Sequence, residues 1–211
     1  MNTIAKAMSV ALLAAPLAMA SGAFSLGGHA SVAYSAFWDE SSDAGDADGP
    51  GFNVGLAGYL AFNPMIGFNP EFTFAYRYEG IEITTTSEYT KTKVDLSVSQ
   101  INIDIPLLFR INVMQQGLFF EAGPFVSFDL DADSKAKVSA SSSTYSGSET
   151  YKNDIDQNIF EFGLIGGAGY SITDKIDVDL RFALGLTKLY DEENSGMKSF
   201  MFHLGGTYWF M

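Results

Sequence analysis

The chain has 211 residues, 14% of them aromatic, carries a formal net charge of −13 and contains no cysteine. Its length suits a single domain with a real core. The charge argues against nucleic-acid or anionic-lipid partners, which need a positive face, and the missing cysteines exclude disulfides, thiolate metal sites, a cysteine nucleophile and a lipid-anchored N-terminal cysteine.

Residues 1–20 read as a secretory signal peptide. Lys6 precedes an apolar stretch from Ala7 to about Ala15, Pro16 breaks it, and Ala18-Met19-Ala20 fits the small-x-small cleavage pattern, with cleavage after Ala20. The run is shorter than the roughly 20 residues of a spanning helix. Residues 21–211 then form one domain, without an internal repeat or a later apolar helix.

From Leu26 onward apolar residues recur at every second position, the period of a strand. Eight segments show it: Leu26 to Trp38, Phe52 to Phe62, Phe68 to Tyr78, Ile101 to Ile111, Leu118 to Leu130, Phe160 to Ile172, Ile176 to Leu186 and Phe200 to Phe210. Several have the length of about 9 to 11 residues that a tilted membrane strand needs. Long connections such as "DESSDAGDADGPG" alternate with short ones such as "NPMIG", "VMQQG" and "TDK". That alternation predicts an all-β fold, an eight-stranded antiparallel up-and-down transmembrane β-barrel with short periplasmic turns and long outer loops. Val94 to Val98 alternates on the opposite phase to Ile101 to Ile111, which predicts a bulge near Ser99 and Gln100.

The charges decide what each strand face meets. Glu71, Arg77, Asp104, Arg110, Glu121, Glu161, Asp177, Asp179 and Arg181 all fall on the polar phase of their segments, and the apolar phase carries no charge. A water-facing exterior would carry lysine. Here the polar phase holds none, and its other residues are mostly small, such as Gly163, Gly167, Gly169 and Gly185. Small side chains fit the inside of a narrow barrel, so lipid is expected outside and an interior polar network within. A two-residue turn at Gln115-Gln116 would set Arg110 directly opposite Glu121, predicting an ion pair. Aromatics near the segment ends, Trp38, Tyr76, Tyr78, Phe128 and Tyr190 on one side and Phe62, Phe68, Tyr170, Tyr208 and Phe210 on the other, fit interfacial girdles.

"INIDIPLLFRINVMQQGLFFEAGPFVSFDL" and "FEFGLIGGAGYSITDKIDVDLRFALGLTKL" carry a resemblance. Through "IPLL", "EAGP", "GAGY" and "DLRFALGL" the chain resembles the PorT-like outer-membrane β-barrel domain family. The resemblance implies an OmpX-like eight-stranded barrel and leaves activity open, since most members lack an assigned one. "HLGGTYWF" is similar to the insertion signal read by the barrel-assembly machinery, through His203, Gly205, Tyr208 and Phe210, although Met211 follows the last aromatic.

Other candidate chemistry is sparse. His29 and His203 both fall on the inward phase of strands that become neighbours on closure, but two histidines fall short of a metal's usual ligand count. Asp39 to Asp48 holds five acids in ten residues but lacks the glutamate that closes a calcium loop, so a solvated acidic loop is expected. The serine-rich stretch from Ala132 to Asn158 suits either a partner or plain disorder. A lipid-modifying enzyme would need a nucleophile, base and orienting acid at the membrane interface, and no Ser–His pair falls on the lipid face. The expectation is a non-enzymatic, cofactor-free integral outer-membrane protein, structural or presenting loops to an envelope partner. A lipid-modifying enzyme and a narrow pore are the alternatives.

Overall fold

The computed structural model describes residues 24–38, 48–87, 90–113, 117–142, 146–154, 160–187 and 198–210. The expected signal peptide, the expected turn at Gln115-Gln116, Tyr190 and the acidic stretch up to Ala47 lie outside them. Nine strands run in chain order: β1 Phe24–Trp38, β2 Asp48–Ala61, β3 Ile66–Ser87, β4 Thr90–Asn112, β5 Leu118–Ser142, β6 Ser146–Asp154, β7 Phe160–Thr173, β8 Ile176–Gly185 and β9 Lys198–Trp209. Eight of them form a ring in the order β4-β3-β2-β1-β9-β8-β7-β5, and β4 pairing with β5 closes it. Every pairing is antiparallel. Closure leaves the barrel no sheet edge at membrane depth, which hydrocarbon demands.

The period-2 pattern maps onto the wall as expected. Along β8, Ile176, Val178, Leu180 and Phe182 lie on the outer surface, while Asp177, Asp179 and Arg181 are buried inside. Leu204, Leu164, Phe109 and Val54 continue the apolar exterior around the ring. Turns of few residues close the periplasmic end. At the first, the Asn63 side chain accepts the N–H groups of Met65 and Ile66 at 2.8 and 2.9 Å. At the second, Gly117 adopts φ 71°, a conformation that favours glycine.

The interior is not polar throughout. Leu108, Phe125, Ile165, Ala183 and Met201 form an apolar cluster inside the barrel, and Phe119 and Trp209 are buried with them in the wall's inner surface. The small residues of the polar phase answer to these large ones. A methyl group at Gly163 would strike the Phe125 ring and the Leu184 carbonyl, and one at Gly169 would strike the Phe119 ring.

Three strands outrun the membrane-spanning lengths read from the sequence. β3, β4 and β5 continue past the barrel rim, and β6 adds to the upper part of β5 through Asp133↔Asp154 to Ser141↔Ser146. The lower part of that same β5 edge pairs with β7 from Leu118 to Phe128. The serine-rich stretch is therefore largely sheet. A register shift does occur at this level, but it corrects the expected place: β4 runs straight through Ser99 and Gln100, and β5 carries the extra residue. Ile101 pairs with Asp131 and Asn102 with Asp129, leaving Leu130 between them. The opposite phase of Val94 to Val98 needs no bulge, because above the rim the inward face of β4 simply becomes the apolar one.

Candidate functional site: a plugged interior beneath an extracellular sheet

All nine charged residues expected inside are buried there. They gather around the three arginines. At the periplasmic end, Arg110 Nη1 lies 2.6 Å from Asp177, Nη2 donates to Ser171 at 3.1 Å and Nε donates to Asn112 at 2.9 Å. The guanidinium sits 3.5 Å from the centre of the Phe119 ring, a cation–π stack. Trp209 Nε1 donates to the same Asp177 at 3.0 Å, and Asn112 Nδ2 donates to the Tyr59 hydroxyl at 2.8 Å. Tyr59, Arg110, Ser171, Asp177 and Trp209 line an open vestibule of about 510 Å³.

Arg181 holds the centre. It makes a two-pronged pair with Glu71 at 2.7 and 2.8 Å, and its Nε lies 2.5 Å from Glu121 and 2.9 Å from Asp179, both out of hydrogen-bonding alignment. Toward the extracellular end, Arg77 Nη2 bonds Asp104 at 2.8 Å and Nη1 lies 3.6 Å from Glu161. Ser127 donates to Asp104 at 2.5 Å, Ser199 donates to Glu161, and Ser35 donates to Glu79 at 2.7 Å.

The expected Arg110–Glu121 ion pair is corrected. The two residues are opposite in register, as the turn implied, but their side chains part. One row runs Arg110, Glu121, Gly167, Arg181, His203 across five strands. Gly167 places no side chain between Glu121 and Arg181, so Glu121 meets Arg181 across it, while Arg110 turns to Asp177 and the Phe119 ring.

Two inward acids escape the sequence reading. Glu79, 1% exposed, and Asp129, partly buried, lie above Arg77 and Ser127 on the same strand faces. Their parity was legible: Glu79 lies one residue past the segment Phe68 to Tyr78, and Asp129 lies inside Leu118 to Leu130 on its inward phase. The interior thus holds eight acids against three arginines among the described residues.

The histidines do not meet in register. His29 stands opposite Thr207, and His203 opposite Ala33 and Arg181. Both line a small cavity of about 20 Å³ with Glu71, Asp104 and Arg181, room for one water. His29 Nδ1 lies 3.0 Å from Thr207 Oγ1 and 3.8 Å from Asp179. One nitrogen faces both, so the ring cannot pass a proton from hydroxyl to carboxylate as a hydrolase triad does. No group of three or more His, Asp or Glu side chains suited to a metal occurs among the described residues. In the insertion signal, Tyr208 and Phe210 face outward, whereas His203 is buried.

Above the rim, β3, β4, β5 and β6 make a four-stranded sheet. Register sorts its two faces. Ile81 and Ile83 stand beside Leu96 and Val94, these beside Ala136 and Val138, and these beside Tyr151 and Glu149. That face continues the inner surface of the barrel. The other continues the lipid-facing surface and carries charged positions.

Among solved structures, the chain is similar to the attachment invasion locus protein Ail of Yersinia pestis, at 14% identity over 88% of this chain and 98% of that one, with a TM-score of 0.40. It is also similar to CarO of Acinetobacter baumannii, at 14% identity over 87% and 97% with a TM-score of 0.42, and to the outer membrane protease OmpT of Escherichia coli, at 12% identity over 89% and 95% with a TM-score of 0.38. No curated protein matches the sequence. The model of the outer membrane protein β-barrel domain matches residues 16–191. With a closed eight-stranded wall, an apolar exterior and a charged interior already in place, that match makes the chain an outer-membrane protein of the outer membrane protein β-barrel domain family.

Proposed function

We propose that this barrel is a non-enzymatic anchor that presents its extracellular sheet to a protein partner at the cell envelope, within the PorT-like branch that "IPLL", "EAGP" and "DLRFALGL" resemble. The observation that carries the reading is the sheet itself. Four paired strands stand above the rim with a face of Ile81, Ile83, Val94, Leu96, Ala136, Val138 and Tyr151 positions, and Leu96 is exposed on it. Backbone-paired strands hold a binding surface at a smaller entropic cost than a free loop does.

The interior supports the same reading. Arginine-centred pairs and the Leu108–Phe125–Ile165–Ala183–Met201 cluster fill the lumen, which disfavours a pore. Both histidines are buried and neither is poised against a nucleophile and an acid on separate nitrogens, which disfavours hydrolysis.

Replacing residues 82–97 and 133–158 by short turns tests it. The shortened chain should keep its heat-modifiable gel mobility in the outer membrane and lose every envelope-protein crosslink made by the parent. Crosslinks that survive the deletion, lipid A altered only when the parent is present, or steady single-channel currents would each replace this reading.

A further inference from the structure

We infer that the periplasmic vestibule is a binding site for a small neutral saccharide, independent of whatever the extracellular sheet presents. Tyr59 comes from β2, Arg110 from β4, Ser171 from β7, Asp177 from β8 and Trp209 from β9, so closure of the ring itself gathers the site. Its volume of about 510 Å³ falls within the range of about 300 to 1,000 Å³ of small-molecule pockets.

Charge selects a neutral ligand. Arg110 and Asp177 are matched to each other at 2.6 Å, and the exposed Asp174 and Lys175 of the turn between β7 and β8 carry opposite signs at the lip. An entering anion must compete with Asp177 for the guanidinium, and an entering cation must approach Asp177 beside that same guanidinium. A hydroxyl meets neither conflict, because it accepts from one partner and donates to another. Two neighbouring ring hydroxyls can span the pair, one accepting from Arg110 and the next donating to Asp177.

The groups around the pair are set for the same chemistry. Ser171 Oγ accepts from Arg110 Nη2 at 3.1 Å, and the Tyr59 hydroxyl accepts from Asn112 Nδ2 at 2.8 Å, so each keeps its own proton to donate. Arg110 is fixed beforehand by Asn112 at Nε and by the Phe119 ring 3.5 Å away, which lowers the ordering cost of binding. The Tyr59 and Trp209 rings, 6.1 Å apart and tilted by 57°, add apolar surface beside these polar groups. Rings with an apolar body and a polar tip suit a ligand that is apolar on one side and wet on the other, as a sugar ring is.

Trp209 supplies the readout. Its Nε1 donates to Asp177 at 3.0 Å, and the only other tryptophan, Trp38, ends β1 at the extracellular side. The test follows both indole N–H signals by NMR, using the full chain in a sugar-free detergent titrated with maltose, N,N′-diacetylchitobiose, succinate or putrescine, with Trp38→Phe assigning the two signals. At least one disaccharide should shift the Trp209 signal saturably and leave that of Trp38 in place, while succinate and putrescine bind more weakly. Tighter binding of diacetylchitobiose assigns the site to amino-sugar glycan, and tighter binding of maltose to neutral hexose. Tyr59→Phe, which keeps the ring, and Ser171→Ala should each weaken binding about two- to tenfold, the loss of one hydrogen bond. Tyr34→Phe, the same change at the extracellular end, should keep the parent's affinity. No saturable shift at Trp209 with either disaccharide, tighter binding of succinate or putrescine than of both, or parental affinity in both Tyr59→Phe and Ser171→Ala would overturn the inference. Heat-modifiable mobility confirms that each variant is folded.

Discussion

Arg181 concentrates the residue-scale energetics. Its single positive charge faces Glu71, Glu121 and Asp179 at contacts of 2.5 to 2.9 Å. Arg181→Met would leave three buried carboxylates facing one another, and removing one partner from a buried pair costs about 3 to 5 kcal/mol. Urea titration of gel mobility in vesicles should show a midpoint well below the parent's. The rearranged pairing of Arg110 gives a sharper test. In double-mutant cycles, Arg110→Gln with Asp177→Asn should be strongly coupled, by about 1 to 3 kcal/mol, and more so than Arg110→Gln with Glu121→Gln. The reverse order would return Arg110 to Glu121. Which charges lie inside was legible from parity alone, since every inward charge falls on the polar phase of its own strand. Which charge meets which was not, because an arginine reaches past its own register partner wherever the intervening strand offers only a glycine, as at Gly167.

At the scale of the element, each strand shows one outer pattern and a more varied inner one. Outer faces were readable because lipid accepts any apolar side chain. Inner faces depend on volume. Phe119 and Phe125 occupy the inward phase where the sequence suggested small residues, and Gly169 and Gly163 are small because those rings lie on them. Gly163→Leu should therefore overpack the lumen, at a cost of about 1 to 3 kcal/mol, and Phe125→Ala should open a cavity at a cost of about 3 to 5 kcal/mol. The double variant Gly163→Leu/Phe125→Ala should recover part of both losses, read as a rise in urea midpoint above either single variant. No recovery would mean that the two positions do not share the same space. Strand length was the other limit of the sequence reading. Segments were cut where the membrane would end, while the pairing of β3, β4 and β5 continues to Ser87, Thr90 and Ser142.

At the scale of the whole molecule, the membrane part of the barrel is nearly self-contained. Purified protein in planar bilayers should give no steady current, because side chains fill the lumen of an eight-stranded wall; the check is conductance before and after Arg77→Ala/Arg181→Ala, which should leak only in the variant. Eight strands, their lengthwise order and the sidedness of the loops were all visible in hydrophobic period and connection length. The added strand β6 was not, since serine and threonine alternation in "SGSETYKND" carries no apolar signal. One feature of the closed ring governs how it must be made. β1 pairs with β9 through Gly27↔Trp209 to Trp38↔Lys198, and Phe210 donates its N–H to the Leu26 carbonyl at 2.8 Å. During synthesis β1 emerges long before its partner, so two strand edges wait through nearly the whole chain for a single late contact of very high sequence separation. Open edges in that interval invite pairing with other chains, and a chain shortened before β9 never leaves it. Truncation at Lys198 should yield full-length-dependent failure, aggregated or degraded protein with no heat-modifiable band, however intact the other seven wall strands are.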